Sequence, residues 1–395
     1  MRKAAIVSAV RTPIARERGA LKNIPPEDYA ALVIKEAVKR SRLPDPGMID
    51  EVIFGHCLGA VGCMARMALL KAGLPDSIPG LTVDRQCGSG STAVNVAAAL
   101  IQAGAGDVYV AGGVESMTRQ PYLLAKPGTD YQRSAPPWIA PRPLAPKEIG
   151  DPPMGITAEN VAERWQISRE EQDEFAYLSQ MKAARAIREG RFKEQIVPVV
   201  VPQKRGEPIV FDTDEHPRPN TTREVLATLP PAFKPGGTVT AGNSSGINDG
   251  AAALVVVSLE KAEELGIRPL AVIRGFAAAG VDPNIMGIGP VPATRKVLAK
   301  TGLSLHDMDV IELNEAFASQ SIACCRELGI DWRDRDVEKL NPNGGAIALG
   351  HPIAATLAML VVKAIYELRR RQGRYALITA CCGGGQGVAT VIERC

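Results

Sequence analysis

The chain has 395 residues, 46% of them hydrophobic but only 4% aromatic, with 38 glycines and a formal net charge of +3. That length exceeds a usual single core and predicts two or more domains or a duplicated one, while the small charge, with Lys and Arg mixed among Asp and Glu, gives no electrostatic footprint for nucleic acid. Eight cysteines without paired spacing, no secretory apolar segment after Met1 and no apolar run long enough to span a bilayer point to a cytoplasmic protein without disulfides or membrane insertion.

Residues 3–10 read as a buried first strand and 26–40 as a helix with Tyr29, Leu32, Val33 and Ala37 on one face. A short strand follows at 52–54. His56, Cys57 and Cys63 are of metal-ligand type, but the chain has four histidines and no C-x-x-C matched to a second ligand pair. No metal is predicted.

Val83-Asp-Arg-Gln-Cys-Gly-Ser-Gly-Ser-Thr92 then places one cysteine in a loop of small residues before an Ala-rich helix over 93–103. At a helix N-terminus the macrodipole and unpaired N–H groups favour a thiolate, so Cys87 is a candidate nucleophile. A strand at 107–111 runs into Gly112-Gly-Val-Glu-Ser-Met117. Strands alternating with helices predict a parallel sheet covered on both faces.

From about residue 118 the character changes. Pro121, Pro127, Pro136, Pro137, Pro141, Pro143, Pro146, Pro152 and Pro153 crowd a stretch that sustains neither helix nor central strand. Within this excursion, spanning about 118–246, Ser168 and Glu171 form a capping box opening a helix whose face carries Phe175, Leu178, Met181 and Ile187, ended by Gly190. Residues 196–201 and 209–211 read as a hairpin. Core-like sequence resumes at Thr238-Val-Thr-Ala-Gly-Asn-Ser-Ser-Gly246, before an apolar strand at 252–257.

The remainder repeats the first part in outline, with a strand at 271–276, a helix at 294–300, a strand at 310–313, a Gly-rich loop at 341–350, a helix over 354–370 and a strand at 375–380. Overlaying the halves, 1–265 and 266–395, matches the Cys87 loop to the loop carrying His351. Two like halves pack as a pseudo-dimer, and loops on one side of their sheets let Cys87 and His351 meet where the halves join. Asn314-Glu-Ala-Phe-Ala318, Gly344-Gly-Ala-Ile-Ala-Leu-Gly-His-Pro352 and Cys381-Cys-Gly-Gly-Gly-Gln-Gly387 then add a base, an amide and a run of N–H groups able to hold an oxyanion.

These segments, with G-G-V-E-S-M at Gly112 to Met117, resemble the thiolase family, acyl-CoA acyltransferases that cleave or form 3-ketoacyl-CoA, over essentially the whole chain and in the same order. The resemblance implies an α/β thiolase fold: two βαβαβαββ halves in a five-layered αβαβα core, an inserted loop domain, and a homodimer or homotetramer. It implies Cys87 as the acylated nucleophile, His351 as its base and Cys381 as the second acid/base, exchanging a proton with the acetyl α-carbon. Asn314 would hold a water that forms one oxyanion hole with His351, and the N–H groups of Cys87 and Gly383 the other. Coenzyme A enters as substrate rather than cofactor, with Arg218 near the nucleotide, Ser245 near the pantetheine, and Met154 and Met286 lining the acyl pocket. A separate proton donor is chemically required, because one cysteine cannot attack the ketone and protonate the departing carbanion equivalent at once.

Two departures set further expectations. After Ile353 the family has small Gly-rich residues, whereas this chain carries Ala354, Ala355, Thr356 and Leu357, which predicts altered efficiency or coenzyme A fit. Members specialised for acetoacetyl-CoA often have His before Met-Gly, and Pro153 here leans towards longer 3-ketoacyl chains. The alternatives are a biosynthetic acetyl-CoA acetyltransferase forming acetoacetyl-CoA and a non-catalytic CoA-ester-binding protein. A ketoacyl synthase relies on two histidines, which the scarcity of histidine here disfavours.

Overall fold

The structure, a computed structural model, describes residues 2–125, 139–140 and 142–395, so Pro127, Pro136, Pro137 and Pro141 of the excursion lie outside the described residues. The first half runs β1 (Ala4–Arg11), β2 (Ala15–Arg16), α1 (Pro26–Ser41), β3 (Glu51–Gly55), α2 (Met64–Lys71), β4 (Gly80–Val83), α3 (Ser89–Ala103) and β5 (Val108–Ser116). The excursion contributes α4 (Met154–Arg164), α5 (Arg169–Arg188), the hairpin β6 (Val199–Val201) and β7 (Ile209–Phe211), and α6 (Arg223–Ala227), before β8 (Asn248–Ser258) and α7 (Leu259–Glu264). The second half runs β9 (Ala271–Gly280), α8 (Pro290–Thr301), β10 (Met308–Leu313), α9 (Ala318–Leu328), α10 (Ala346–Leu349), α11 (Ile353–Arg371), β11 (Tyr375–Cys382) and β12 (Gln386–Arg394). The counterpart of β4 in this half is reduced to a single parallel bridge between Ile311 and Leu340.

The strands lie in the order β10-β11-β12-β9-β1-β8-β5-β3-β4. Among the described residues the two half-sheets are joined where β1 meets β9, at Ala5 with Val272 and Ile6 with Ala271. Three apolar clusters define the layers. Tyr29, Val33 and Ile34 of α1 and Met64 and Leu69 of α2 pack on the outer face of the first half-sheet. Val297 of α8 and Ile322 of α9 do so on the second. Between the sheets lie α3, through Val94, Ala97 and Ile101, and α11, through Leu357, Val361 and Ile365. The result is the five-layered αβαβα arrangement.

The middle layer explains the abundance of small residues. A Cβ on Gly90 of α3 would stand 2.7 Å from the Ala358 nitrogen and 2.8 Å from the Ala354 oxygen of α11, so these helices meet at backbone contact. Close crossing brings the N-termini of α3 and α11 together at the junction of the halves. Cys87 and His351 immediately precede those two helices.

Several sequence expectations change. The sheet is mixed rather than parallel: β3 pairs parallel with β4 and β5, as β10 does with β11, but β8 and β12 run antiparallel to their neighbours. A tight turn with Gly384 at φ 81° and Gly385 at φ 82° returns the chain from β11 to β12 without a crossover helix, which forces the antiparallel sense. The β5 strand does not stop at the Gly112-Gly113 pair. A Cβ at Gly112 would collide with the Ala252 oxygen and one at Gly113 with the Ala354 oxygen, so these glycines mark close backbone approach within a strand. In α5 the Ser168–Glu171 capping box forms, but Leu178, Met181 and Ile187 are half-buried. Its buried face keeps Phe175 and mixes Ala176, Ala183 and Ala186 with Gln172, Asp173, Ser179 and Gln180, because this helix also supports polar loops of the site described next.

Candidate active site

Cys87 lies in a single helical turn, Gln86–Gly88, directly ahead of α3. Gln86 adopts a left-handed φ of 48°, held by Asp84 Oδ1, which accepts from the Gln86 N–H at 2.8 Å and from its side-chain amide at 3.0 Å. The Ser89 hydroxyl staples the same turn, accepting from the Arg85 N–H and donating to the Gln86 carbonyl. Beneath it the buried Glu115 carboxylate accepts from the N–H groups of Cys57 and Leu58 and pairs with His56 at 3.2 Å. Among the described residues no cluster of three or more His, Cys, Asp or Glu is arranged to hold a metal.

The thiol of Cys87 is not the low-pKa thiolate expected from helix-end placement. Burial pushes it up to about 11, outweighing hydrogen bonding from the Gly383 N–H and from its own N–H, and the Glu115 and Asp84 charges add to the rise. At His351 burial pushes the imidazole down to about 4. Both groups are therefore neutral at rest. A neutral thiol and a neutral imidazole on one cavity wall can exchange a proton if attack begins there, rather than being stored as an ion pair.

Two turns of the second half complete the group. The Asn314 N–H donates to the Thr379 carbonyl at 2.9 Å, which holds the loop after β10 against β11. Its side-chain nitrogen then lies 3.4 Å from Nε2 of His351, and its Oδ1 is buried without a partner. Glu315 stiffens this loop by accepting from Ser179, Asn341 and the Ile347 N–H. Asn248 fixes the His351 backbone from the other side, its Oδ1 accepting from the His351 N–H at 2.9 Å.

At the end of β11 the adjacent cysteines diverge, as neighbouring strand residues must. Cys381 faces Met154, Met286, Ala316 and Phe317. Cys382 belongs to the middle-layer core, and its sulfur would stand 2.7 Å from a Cβ at Gly88. Both thiols are pushed well above the ordinary range by burial, and the neighbouring Cys87 adds to the rise.

A cavity of about 970 Å³ opens over Cys87 and His351, walled by Met117, Pro153, Met154, Phe233, Met286 and Phe317. Arg218 and Ser245, both singled out from sequence, line it as well. The Ser245 N–H donates to the Ala316 carbonyl and that of Ala318 to the Asn243 carbonyl, so the returning end of the excursion is stitched to the Asn314 loop. Arg16, His216 and Gln180 share the wall near Arg218 and were not picked out from sequence, since each is a lone polar residue far from any motif. Gly383, Cys381 and Asn314 are not among the residues lining the cavity. Ala354, Ala355 and Leu357 are fully buried in the core, so the departures after Ile353 add packing and not cavity wall. Thr356, the fourth, touches His351.

The arrangement is matched by known proteins. The thiolase N-terminal domain family matches residues 4–260 and the thiolase C-terminal domain family residues 267–394. The 3-oxoadipyl-CoA/3-oxo-5,6-dehydrosuberyl-CoA thiolase of Escherichia coli K12 is 49% identical, with 100% of both chains covered. An acetyl-CoA acetyltransferase of Syntrophomonas wolfei is 48% identical, with 99% of each covered. The crystal structure of the Bacillus anthracis acetyl-CoA acetyltransferase superposes with a TM-score of 0.93 at 46% identity, covering 100% of this chain and 99% of that one. Human mitochondrial 3-ketoacyl-CoA thiolase in complex with CoA gives 0.91 at 39% identity, covering 100% and 98%. With two domain families matched in order around one cysteine, histidine and glycine-turn constellation, this chain belongs to the thiolase family.

Proposed function

We propose that the protein is an acyltransferase that cleaves 3-ketoacyl-CoA with coenzyme A, releasing acetyl-CoA and an acyl-CoA shortened by two carbons. The observation carrying this reading is that Cys87, whose thiol pKa the N–H groups of Cys87 and Gly383 both lower against burial, opens on the same cavity as a neutral His351. As Cys87 attacks the 3-keto carbon, His351 takes the thiol proton and the two N–H groups receive the developing oxyanion. The bond between C2 and C3 then breaks. His351 and Asn314 stabilise the enolate oxygen of the departing acetyl thioester, and Cys381 gives its proton to the α-carbon. Coenzyme A enters as thiol, gives its proton to the Cys381 thiolate and takes the acyl group from Cys87, whose departing sulfur regains the proton held by His351.

The apolar wall formed by Pro153, Met154, Met286 and Phe317 supports uncharged medium-length acyl chains, since methionine adapts to chains of different length. Arg16, Arg218 and His216 at the cavity rim suit the phosphates of coenzyme A, and Ser245 the pantetheine arm. We place the reaction in the cytoplasm and in fatty acyl breakdown. We also propose a homo-oligomer, dimer or tetramer: β4 ends the sheet with Leu81 exposed, flanked by Met67 and Leu70 of α2. Steady-state thiolysis across a series of 3-ketoacyl-CoA lengths tests the substrate reading. Turnover of both acetoacetyl-CoA and medium chains is expected. Strict preference for the four-carbon substrate would replace it with the biosynthetic acetyltransferase, and preference for a dicarboxylic 3-oxoacyl-CoA would refute an uncharged acyl site.

A further inference from the structure

We propose that Thr356 is a positioning residue that fixes His351 in the tautomer with its lone pair on Nε2, the form able to take a proton from Cys87. The inference rests on the assignment of His351 as base made above. Thr356 lies in the first turn of α11, five residues beyond His351, and both are buried. Its hydroxyl oxygen is 2.6 Å from Nδ1 of His351 and 3.1 Å from the carbonyl oxygen of Pro352, to which it donates. A hydroxyl has one proton. Given to the carbonyl, as threonine commonly does one helical turn back, it leaves only lone pairs for the ring, so Nδ1 carries the hydrogen.

The other side of the ring agrees. The side-chain amide nitrogen of Asn314 lies 3.4 Å from Nε2, a donor that suits an unprotonated ring nitrogen. The backbone frame is also fixed: the Pro352 carbonyl accepts from the N–H groups of Ala355 and Thr356, and Asn248 Oδ1 holds the His351 N–H. With the backbone pinned, the remaining freedom is rotation of the ring and the site of its proton. Thr356 removes both.

The chain has only four histidines, so the 15N spectrum of protein labelled at histidine reports the His351 tautomer directly, with His351→Asn identifying its signals. Thr356→Val keeps the side-chain shape and removes the hydroxyl, while Thr356→Ser keeps the hydroxyl. The parent and Thr356→Ser should show a protonated Nδ1 and an unprotonated Nε2, and Thr356→Val should lose that single pattern. Thr356→Val should lower kcat by about 10- to 100-fold with KM changed far less, and Thr356→Ser should restore most of it. Alkylation of Cys87 by iodoacetamide, which needs no acyl-CoA, should slow in Thr356→Val and recover in Thr356→Ser. An Nε2-protonated parent, or a Thr356→Val protein with the parental spectrum and parental alkylation rate, would overturn the proposal. If the parent failed to cleave any 3-ketoacyl-CoA, the proposed function would fall, while the spectrum and the alkylation rate would still decide the role of Thr356.

Discussion

The backbone N–H of Gly383, in the turn between β11 and β12, pulls the pKa of the Cys87 thiol ahead of α3 down against the rise that burial imposes. This influence couples the two halves of the chain at the candidate nucleophile. That N–H is then a donor for the acyl oxygen when Cys87 is the nucleophile. Incubation with acetyl-CoA followed by peptide mass analysis should therefore place the acetyl group on Cys87, and Cys87→Ala should abolish the label. Label confined to Cys57, Cys63 or Cys324 would show that another thiol reacts.

The divergence of Cys381 and Cys382 yields opposite phenotypes. Cys381 faces Met154 and Met286, where a substrate α-carbon would lie, so Cys381→Ser should lower cleavage about 10²- to 10⁴-fold while acylation of Cys87 persists. Cys382 is core, and Cys382→Ser buries a hydroxyl near Gly88, costing about 1–3 kcal/mol with turnover largely kept. The reverse pattern would mean that the strand register aims the other cysteine at the substrate.

Because burial holds the Cys87 thiol up to about 11, its alkylation in substrate-free His351→Asn, where only solvent can take the proton, should rise about tenfold per pH unit between about pH 7 and pH 10. A rate already level below neutrality in that variant would show that burial does not hold the thiol up.

The acid side of the stability profile follows from His351. Its pKa falls from 6.5 in the unfolded chain to about 4 in the fold, so the unfolded state binds the proton first as pH drops. The contribution is complete above about pH 6.5 and is lost between there and about pH 4, amounting to about 3 kcal/mol. Urea unfolding at neutral and acid pH should show a smaller acid loss in His351→Asn than in the parent. Equal losses in both would contradict the neutral, buried imidazole.

Gly113 on β5 packs against the backbone of α11, where an added Cβ would collide with the Ala354 oxygen. Gly113→Ala should destabilise the fold by about 1–3 kcal/mol or more and reduce activity, since α11 positions His351. Gly62→Ala, where nothing lies within 4 Å, is the control and should leave thermal unfolding unchanged. Similar melting of the two variants would count against backbone contact between β5 and α11.

What the sequence determined by itself was the set of candidate reacting groups and their order. Cys87, Asn314, His351 and Cys381 stand in short motifs whose meaning is local: a cysteine before a helix, a histidine after glycines, a cysteine before a glycine turn. The duplicated outline was legible too, because apolar runs and glycine loops repeat along the chain. Protonation state was not legible. A helix N-terminus predicts a thiolate, but only the packed structure shows that burial outweighs it at Cys87 and neutralises His351. The strand glycines at 112 and 113 read as a turn, because the neighbours that require them, Ala252 and Ala354, are more than a hundred residues away in the chain. Likewise α5 showed an apolar face in sequence and buries a mixed one, since its partners Asn243 and Glu315 come from distant loops. Residues whose chemistry depends on their own neighbours in the chain announce themselves, whereas those defined by long-range contacts, Thr356 hydrogen-bonded to His351 included, acquire their meaning only when packing sets their solvent and their partners.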